Sequence, residues 1–290
     1  MILGRCRFFN STVLPMVTCA LFAAIPLVTW AFPDKETDLG EVGMSPVNKE
    51  RISAVSLGFG GMNALDEYLS PGVYRGMAFD FSYQTIRRFR QADGWYSPYF
   101  FNVVASPMRM GNGNGRTYAL MLDFRPSWER LWIQKPKFTL TAGPGLFVRV
   151  GGVYNVRNSN NPAQLKLHIA ASVSGEAAYR LTVSSFPIDL RWRIDIPLLG
   201  YNFSPDFGLQ YYEMYYLGQM SGASHFAWPG NLLMLGQRIS ADIPVGGVRL
   251  RLGYMGDYWG YNMGGVRCRI FSNTFLIGIV RRVEIKHNGR

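Results

Sequence analysis

Four side chains in one segment hold the inventory of a hydrolase. His168, Ser172, Ser174 and Glu176 fall on one face of the stretch 164–181. A base, two hydroxyls and an acid are what a Ser–His–acid enzyme acting on membrane-lipid esters would need. Their spacing opposes it. A strand rises ~3.3 Å per residue, which puts His168 and Ser172 about 13 Å apart, far beyond hydrogen-bond reach. The triad would need a partner from another strand. His225 is a second candidate base, with Asp206 and Glu213 near it in sequence, and His287 sits in a short tail. No metal-ligand spacing, phosphate-binding glycine loop or cofactor motif occurs, so no metal and no cofactor is expected. The run Gly111-Asn112-Gly113-Asn114-Gly115 reads as a hairpin turn.

The elements that must position these groups are strands. Phe186 to Leu198 shows the rule: its even positions are all large and apolar, and its odd positions are Pro, Asp or Arg. A period of two gives an extended segment with one face in each environment. Apolar residues facing lipid and charges facing a lumen is the pattern of a transmembrane β-strand. A soluble sandwich also alternates, but it does not need so many charges opposite its apolar face.

Composition agrees. Among 290 residues, 14% are aromatic, 17% are charged and 32 are glycine. Residues 1–31 read as a secretory signal, with Arg5 and Arg7 before the apolar run 13–28 and a Thr29-Trp30-Ala31 exit. Residues 32–49 read as a flexible periplasmic lead-in. The formal charge is +11. Such basicity suits an anionic surface, and without a basic helix or nucleic-acid motif no nucleic-acid partner is expected. Cys6 and Cys19 fall in the leader, leaving Cys268 without an internal disulfide partner.

Alternating segments recur from 50 to 284. They predict an all-β, transmembrane, antiparallel up-and-down barrel of about ten strands, with twelve as the runner-up if 200–231 conceals a hairpin. Each segment is near or above the ~9–11 residues that cross a bilayer. The connections 63–72, 109–115, 151–163, 200–231 and 258–270 are long or rich in Gly and Asn. On the other side, 182–185 and 244–247 are very short, although 85–95 and 126–136 run to about ten residues. Long outer loops and short periplasmic turns suit an outer-membrane barrel. Residues 285–290 read as a tail.

Several stretches carry a family likeness. They are Tyr68-Leu69-Ser70-Pro71 with Tyr74 and Gly76, the run Arg238 to Pro244, Leu252 to Asp257, and Phe271 to Gly278. Through them the chain resembles an uncharacterised family of Bacteroidetes outer-membrane barrels, a domain of unknown function. The resemblance implies a Gram-negative outer-membrane location and a barrel fold, and it supplies no catalytic residues. Many barrels end in an aromatic residue read by the assembly machinery, whereas this chain runs past Val283 to Arg290. Outer-membrane lipid, including lipopolysaccharide, and the barrel-assembly machinery are the expected partners.

On this register the lumen collects Asp80, Asp123, Glu176, Asp189, Asp195 and Asp242. Facing them stand Arg125, Arg149, Lys166, Arg180, Arg191, Arg193, Arg238, Arg249 and Arg251, with His168 among them. Six acids against nine bases predict a lumen positive by three. An interior of eight strands is just filled by side chains, and open channels belong to ~16–18, so ten strands imply a narrow or plugged lumen. The charges then form either an Arg–carboxylate network or a small anion-preferring conduit. The connection 200–231 carries Tyr211, Tyr212, Tyr215, Tyr216, His225 and Trp228. It reads as an outer aromatic girdle with a lid, or as a platform for a glycan or other surface ligand. The function expected is an integral outer-membrane barrel, structural or a narrow conduit, with the lipid hydrolase as the alternative.

Overall fold

The computed structural model describes residues 49–285 apart from 89–93, 112, 114, 160, 184–185 and 246–247. The stretch read as a secretory signal, all but residue 49 of the stretch read as a lead-in, and residues 286–290 lie outside these. Twelve strands run in chain order: β1 Lys49–Asp66, β2 Ser70–Arg88, β3 Trp95–Met110, β4 Arg116–Pro126, β5 Glu129–Gln134, β6 Phe138–Asn155, β7 Ala163–Val183, β8 Phe186–Phe203, β9 Ser224–Ala227, β10 Leu232–Val245, β11 Val248–Met263 and β12 Val266–Ile285. Among the described residues one short helix, α1 Tyr211–Tyr215, lies between β8 and β9.

Each strand pairs antiparallel with its neighbour, and the sheet closes on itself. β1 pairs β12 from Lys49↔Ile285 to Asp66↔Cys268. β8 pairs β10, with β9 merely extending the upper edge of β8. β5 continues β4, since both bridge β3 and β6. The result is a closed barrel of ten staves plus two short extra strands. The supernumerary strands add no hairpin to the wall, so the twelve-strand alternative is set aside.

The alternation sorts side chains as the period of two requires. Val55, Leu57 and Phe59 on β1, Met77, Phe79 and Phe81 on β2, and Phe275, Ile277 and Ile279 on β12 all face outward and are exposed. Ser56, Asp80, Ser82 and Thr274 face inward and are buried. Two connections expected to be long are tight turns. The stretch 63–72 contracts to residues 67–69, and 258–270 contracts to Gly264–Gly265. Both glycines have positive φ, +58° and +73°, as a two-residue hairpin turn requires. The stretch 126–136 also holds a strand, β5. No helix among the described residues is long and apolar enough to cross a membrane; the apolar band is made by strands.

Candidate functional site: a charge-filled lumen under a lid

The lumen is built in three tiers. At the end where β1 begins and β12 finishes, Asp189 binds Arg180 at 2.8 Å and also pairs with Arg249. Glu176 holds Arg191 at 2.7 Å. Asp242 takes both Nε and Nη2 of Arg251, at 2.6 and 2.8 Å. Glu129 lies 2.8 Å from Arg193, whose other side reaches Asp195 at 3.1 Å. Arg180 and Arg249 stand at the rim and stay partly exposed.

In the middle tier two acids and two bases form a ring. Arg149 donates to both oxygens of Asp123 at 2.7 Å, and to Asp257 at 2.8 Å. Arg125 donates to Asp123 and Asp257, each at 2.6 Å. Bidentate, charge-assisted bonds of this kind offset the desolvation of buried ions. Gly236 makes the room: a Cβ there would lie 2.1 Å from Arg125 Nη1. Arg238 differs. It has no carboxylate within ion-pair distance among the described residues; its guanidinium lies 3.6 Å from the Phe100 ring centre. Asp80 accepts from Asn102.

The upper tier is mostly apolar. Trp259, Tyr261, Met62, Met234 and Phe147 pack there with Cys268. Lys166 enters this setting fully buried, 2.7 Å from Asp66, 3.0 Å from Tyr261 Oη and 3.4 Å from Cys268 Sγ. His168 lies between the rings of Phe147 and Trp259, at 5.8 and 6.5 Å. Neither imidazole nitrogen makes a hydrogen bond to a serine or a carboxylate among the described residues. Ser172, Ser174 and Glu176 share its face but follow it down β7. The structure does not assemble them into a triad.

Three carboxylates were missing from the sequence-based set: Asp66, Glu129 and Asp257. All are buried in the lumen. They raise the acids from six to nine against the same nine bases, so the lumen is balanced among the described residues and not positive by three. Two of them sit in stretches read as connections, and Asp257 closes a strand just where its inward face turns aromatic. A period-two reading carried to the ends of those strands would have found them.

Two gaps beside the lumen side chains are small. The space beside His168, Ala170 and Leu232 has no room for a water molecule, and that beside Asp66, Tyr74 and Asn155 holds about 10 Å³. One water needs at least about 10–15 Å³ on the same measure. No group of three or more His, Cys, Asp or Glu among the described residues is placed to hold a metal.

The segment 204–231 closes the upper end. Tyr68 Oη donates to Leu209 O at 2.8 Å, and the Leu165 N–H donates to Tyr211 Oη at 2.7 Å. The Phe207 N–H donates to Gly264 O at 2.8 Å. Burial pushes the phenols of Tyr68 and Tyr211 above their ordinary value. Of the aromatic candidates, Tyr211 is turned down into the lid, stacked on Tyr215 at 6.1 Å. Tyr212 and Tyr216 stack on each other at 5.1 Å and are exposed, and Trp228 is half-exposed. His225 Nε2 lies 3.0 Å from Ser204 O and 3.2 Å from an Asp206 oxygen. Glu213 is elsewhere, accepting the Gln210 N–H at the start of α1.

A closed ten-stave β-barrel with a side-chain-filled, ion-paired lumen is the class that fold and site define. The chain belongs to the family described as "Protein of unknown function (DUF3316)", whose model matches residues 29–288. No curated protein matches it. Solved structures similar in chain trace include the outer membrane protease OmpT from Escherichia coli, at 7% identity and TM-score 0.47, covering 86% of this chain and 99% of that one. Others are an outer membrane channel from Pseudomonas putida F1 (10%, TM-score 0.37, covering 86% and 100%) and the transport unit of the autotransporter AIDA-I from Escherichia coli (8%, 0.36, covering 90% and 97%).

Proposed function

We propose that this chain is an integral outer-membrane barrel that does not conduct. It serves as a rigid envelope scaffold presenting the segment 204–231 at the cell surface, after export on the leader 1–31. Apolar side chains around the outside and ions along the axis suit hydrocarbon as the surrounding medium. Placing the termini and short turns in the periplasm puts the lid outside. The carrying observation is the lumen: eight of its nine bases have a carboxylate within ion-pair distance, the ninth, Arg238, lies on the Phe100 ring, and the gap beside Asp66, Tyr74 and Asn155 does not exceed one water. An ion would have to break buried, bidentate pairs to pass. Hydrolysis finds no support, because among the described residues neither His168 nor His225 is hydrogen-bonded to a serine hydroxyl, His225 meeting only the backbone carbonyl of Ser204.

Two measurements test this reading. Heat-modifiable protein should fractionate with the outer membrane. The purified barrel in a planar bilayer should give no current steps, and discrete steps that scale with salt would refute the sealed lumen.

A further inference from the structure

Three arginines on the outer wall stand in one row. Arg75 on β2 is the register partner of Arg109 on β3, and Arg109 is the register partner of Arg116 on β4. Each falls on the outward face of its strand and is exposed. Like charges directly opposite one another destabilise a sheet. None of the three makes an ion pair among the described residues, and the inward side chains beside them, Tyr74, Met108 and Thr117, are buried and uncharged. Their lateral register neighbours are Asn63 on β1 and the backbone of Val156 beyond β4, so no acid flanks the row. Arg157, in the connection that follows β6, adds a fourth exposed cation nearby.

The row sits at a defined depth. Below Arg75 the outward positions of β2 are Met77, Phe79 and Phe81, all exposed apolar residues. Twelve residues further on, at the other end of the strand, comes Arg87, the register partner of Arg51 on β1, with its guanidinium over the Tyr99 ring. Twelve residues at ~3.3 Å, tilted by ~40°, give about 30 Å of height, the thickness of a bilayer's hydrocarbon core. The two sets of arginines therefore bracket the lipid. On the reading that the lid faces outward, Arg75, Arg109 and Arg116 lie at headgroup level in the outer leaflet. Adjacent strands are ~4.8 Å apart, so three guanidiniums span about 10 Å, wide enough for two phosphates. Guanidinium binds phosphate oxygens in pairs. Just below, Tyr118 and Leu120 on β4 continue the apolar strip on which acyl chains would lie.

We propose that Arg75, Arg109 and Arg116 form a binding site for a bisphosphorylated glycolipid of the outer leaflet, of the lipid A class. The site rests on the orientation given above, and its test is independent of it. Full-length mature barrel in detergent micelles is titrated with diphosphoryl lipid A and followed by native mass spectrometry. The R75A/R109A/R116A variant should bind at least about tenfold more weakly, and R109Q alone several-fold more weakly. Both variants should keep heat-modifiable mobility, because the replaced side chains are exposed. The R51A/R87A variant, at the opposite rim, should bind like the parent. Equal binding by the triple variant or by R109Q overturns the proposal, as does loss of binding in R51A/R87A alone. So does equal retention of phosphatidylglycerol, which would mark a general anionic-lipid belt. Displacement of lipid A by inorganic phosphate at comparable concentration would mark a free-anion site and also overturn it. Failure to fractionate with the outer membrane would instead count against the location, since micelle binding does not depend on it.

Discussion

Arg149 and Arg109 belong to the same barrel and live under opposite rules. Arg149 faces the axis, and two carboxylates hold it within 2.8 Å. Arg109 faces outward, and its register partners on both sides are arginines. Burial explains the difference. Inside the barrel an unpaired cation would lose its hydration without replacement, so every lumen base but Arg238 is answered by an acid. Outside, at the rim, water or lipid headgroups solvate the charge, and pairing is optional. The contrast should show in stability. Asp257→Ala leaves Arg149 with Asp123 alone and Arg125 with Asp123 and a longer contact to Asp195 at 3.8 Å, and should cost about 3–5 kcal/mol in urea unfolding from micelles. Arg109→Ala should change the same measurement by no more than about 0.5 kcal/mol. Similar losses for the two variants would erase the distinction between the walls.

Lys166 and Asp66 sharpen the same point. They form an isolated pair in the apolar upper tier, with Trp259 and Tyr261 around them. Lys166→Met strands a buried carboxylate and should cost about 3 kcal/mol. The double variant Lys166→Met, Asp66→Leu removes both charges from an apolar setting and should return to within about 1 kcal/mol of the parent. If the double variant is as unstable as the single one, the pair holds the tier by more than mutual compensation.

How far the sequence predicts this architecture depends on where along a strand one looks. In β8 the contrast between Phe186, Leu190 or Leu198 and Asp189, Arg193 or Asp195 assigns both faces, and the structure keeps them. The strand count follows from such segments. The upper ends are less legible because their inward residues become apolar. Trp259, Tyr261 and Met263 point into the lumen while Tyr258 faces out, so the polar–apolar contrast disappears. That is why 258–270 reads as a loop, although Gly264-Gly265 between two apolar runs is a hairpin signal in its own right. The acids Asp66, Glu129 and Asp257 were lost with those ends, and with them the neutrality of the lumen. The lid's attachments join residues far apart in sequence, such as Tyr68 to Leu209 and Leu165 to Tyr211. No periodicity encodes such contacts.

Those attachments give the smallest of the expected effects, and they compare the lid with the wall beneath it. The lid is held by single neutral hydrogen bonds, the wall by continuous strand pairing and ion pairs. Burial raises the Tyr68 and Tyr211 phenols above the ~10 of an exposed tyrosine. A raised folded value stabilises the closed lid fully below about pH 10, and that contribution is lost as pH climbs through the folded values. Ionised Tyr68 also ceases to donate to Leu209. Protease nicking within 208–222 should therefore accelerate above about pH 10 while heat-modifiable mobility of the barrel persists, because guanidinium–carboxylate pairs do not titrate there. Tyr68→Phe should raise nicking at neutral pH roughly fivefold, as loss of about 1 kcal/mol implies, and should flatten the alkaline rise. If nicking in the two proteins follows one curve at every pH, the Tyr68 phenol does not fasten the lid. Its hold must then come from the apolar packing of Tyr211, Met214 and Leu69 against the upper tier.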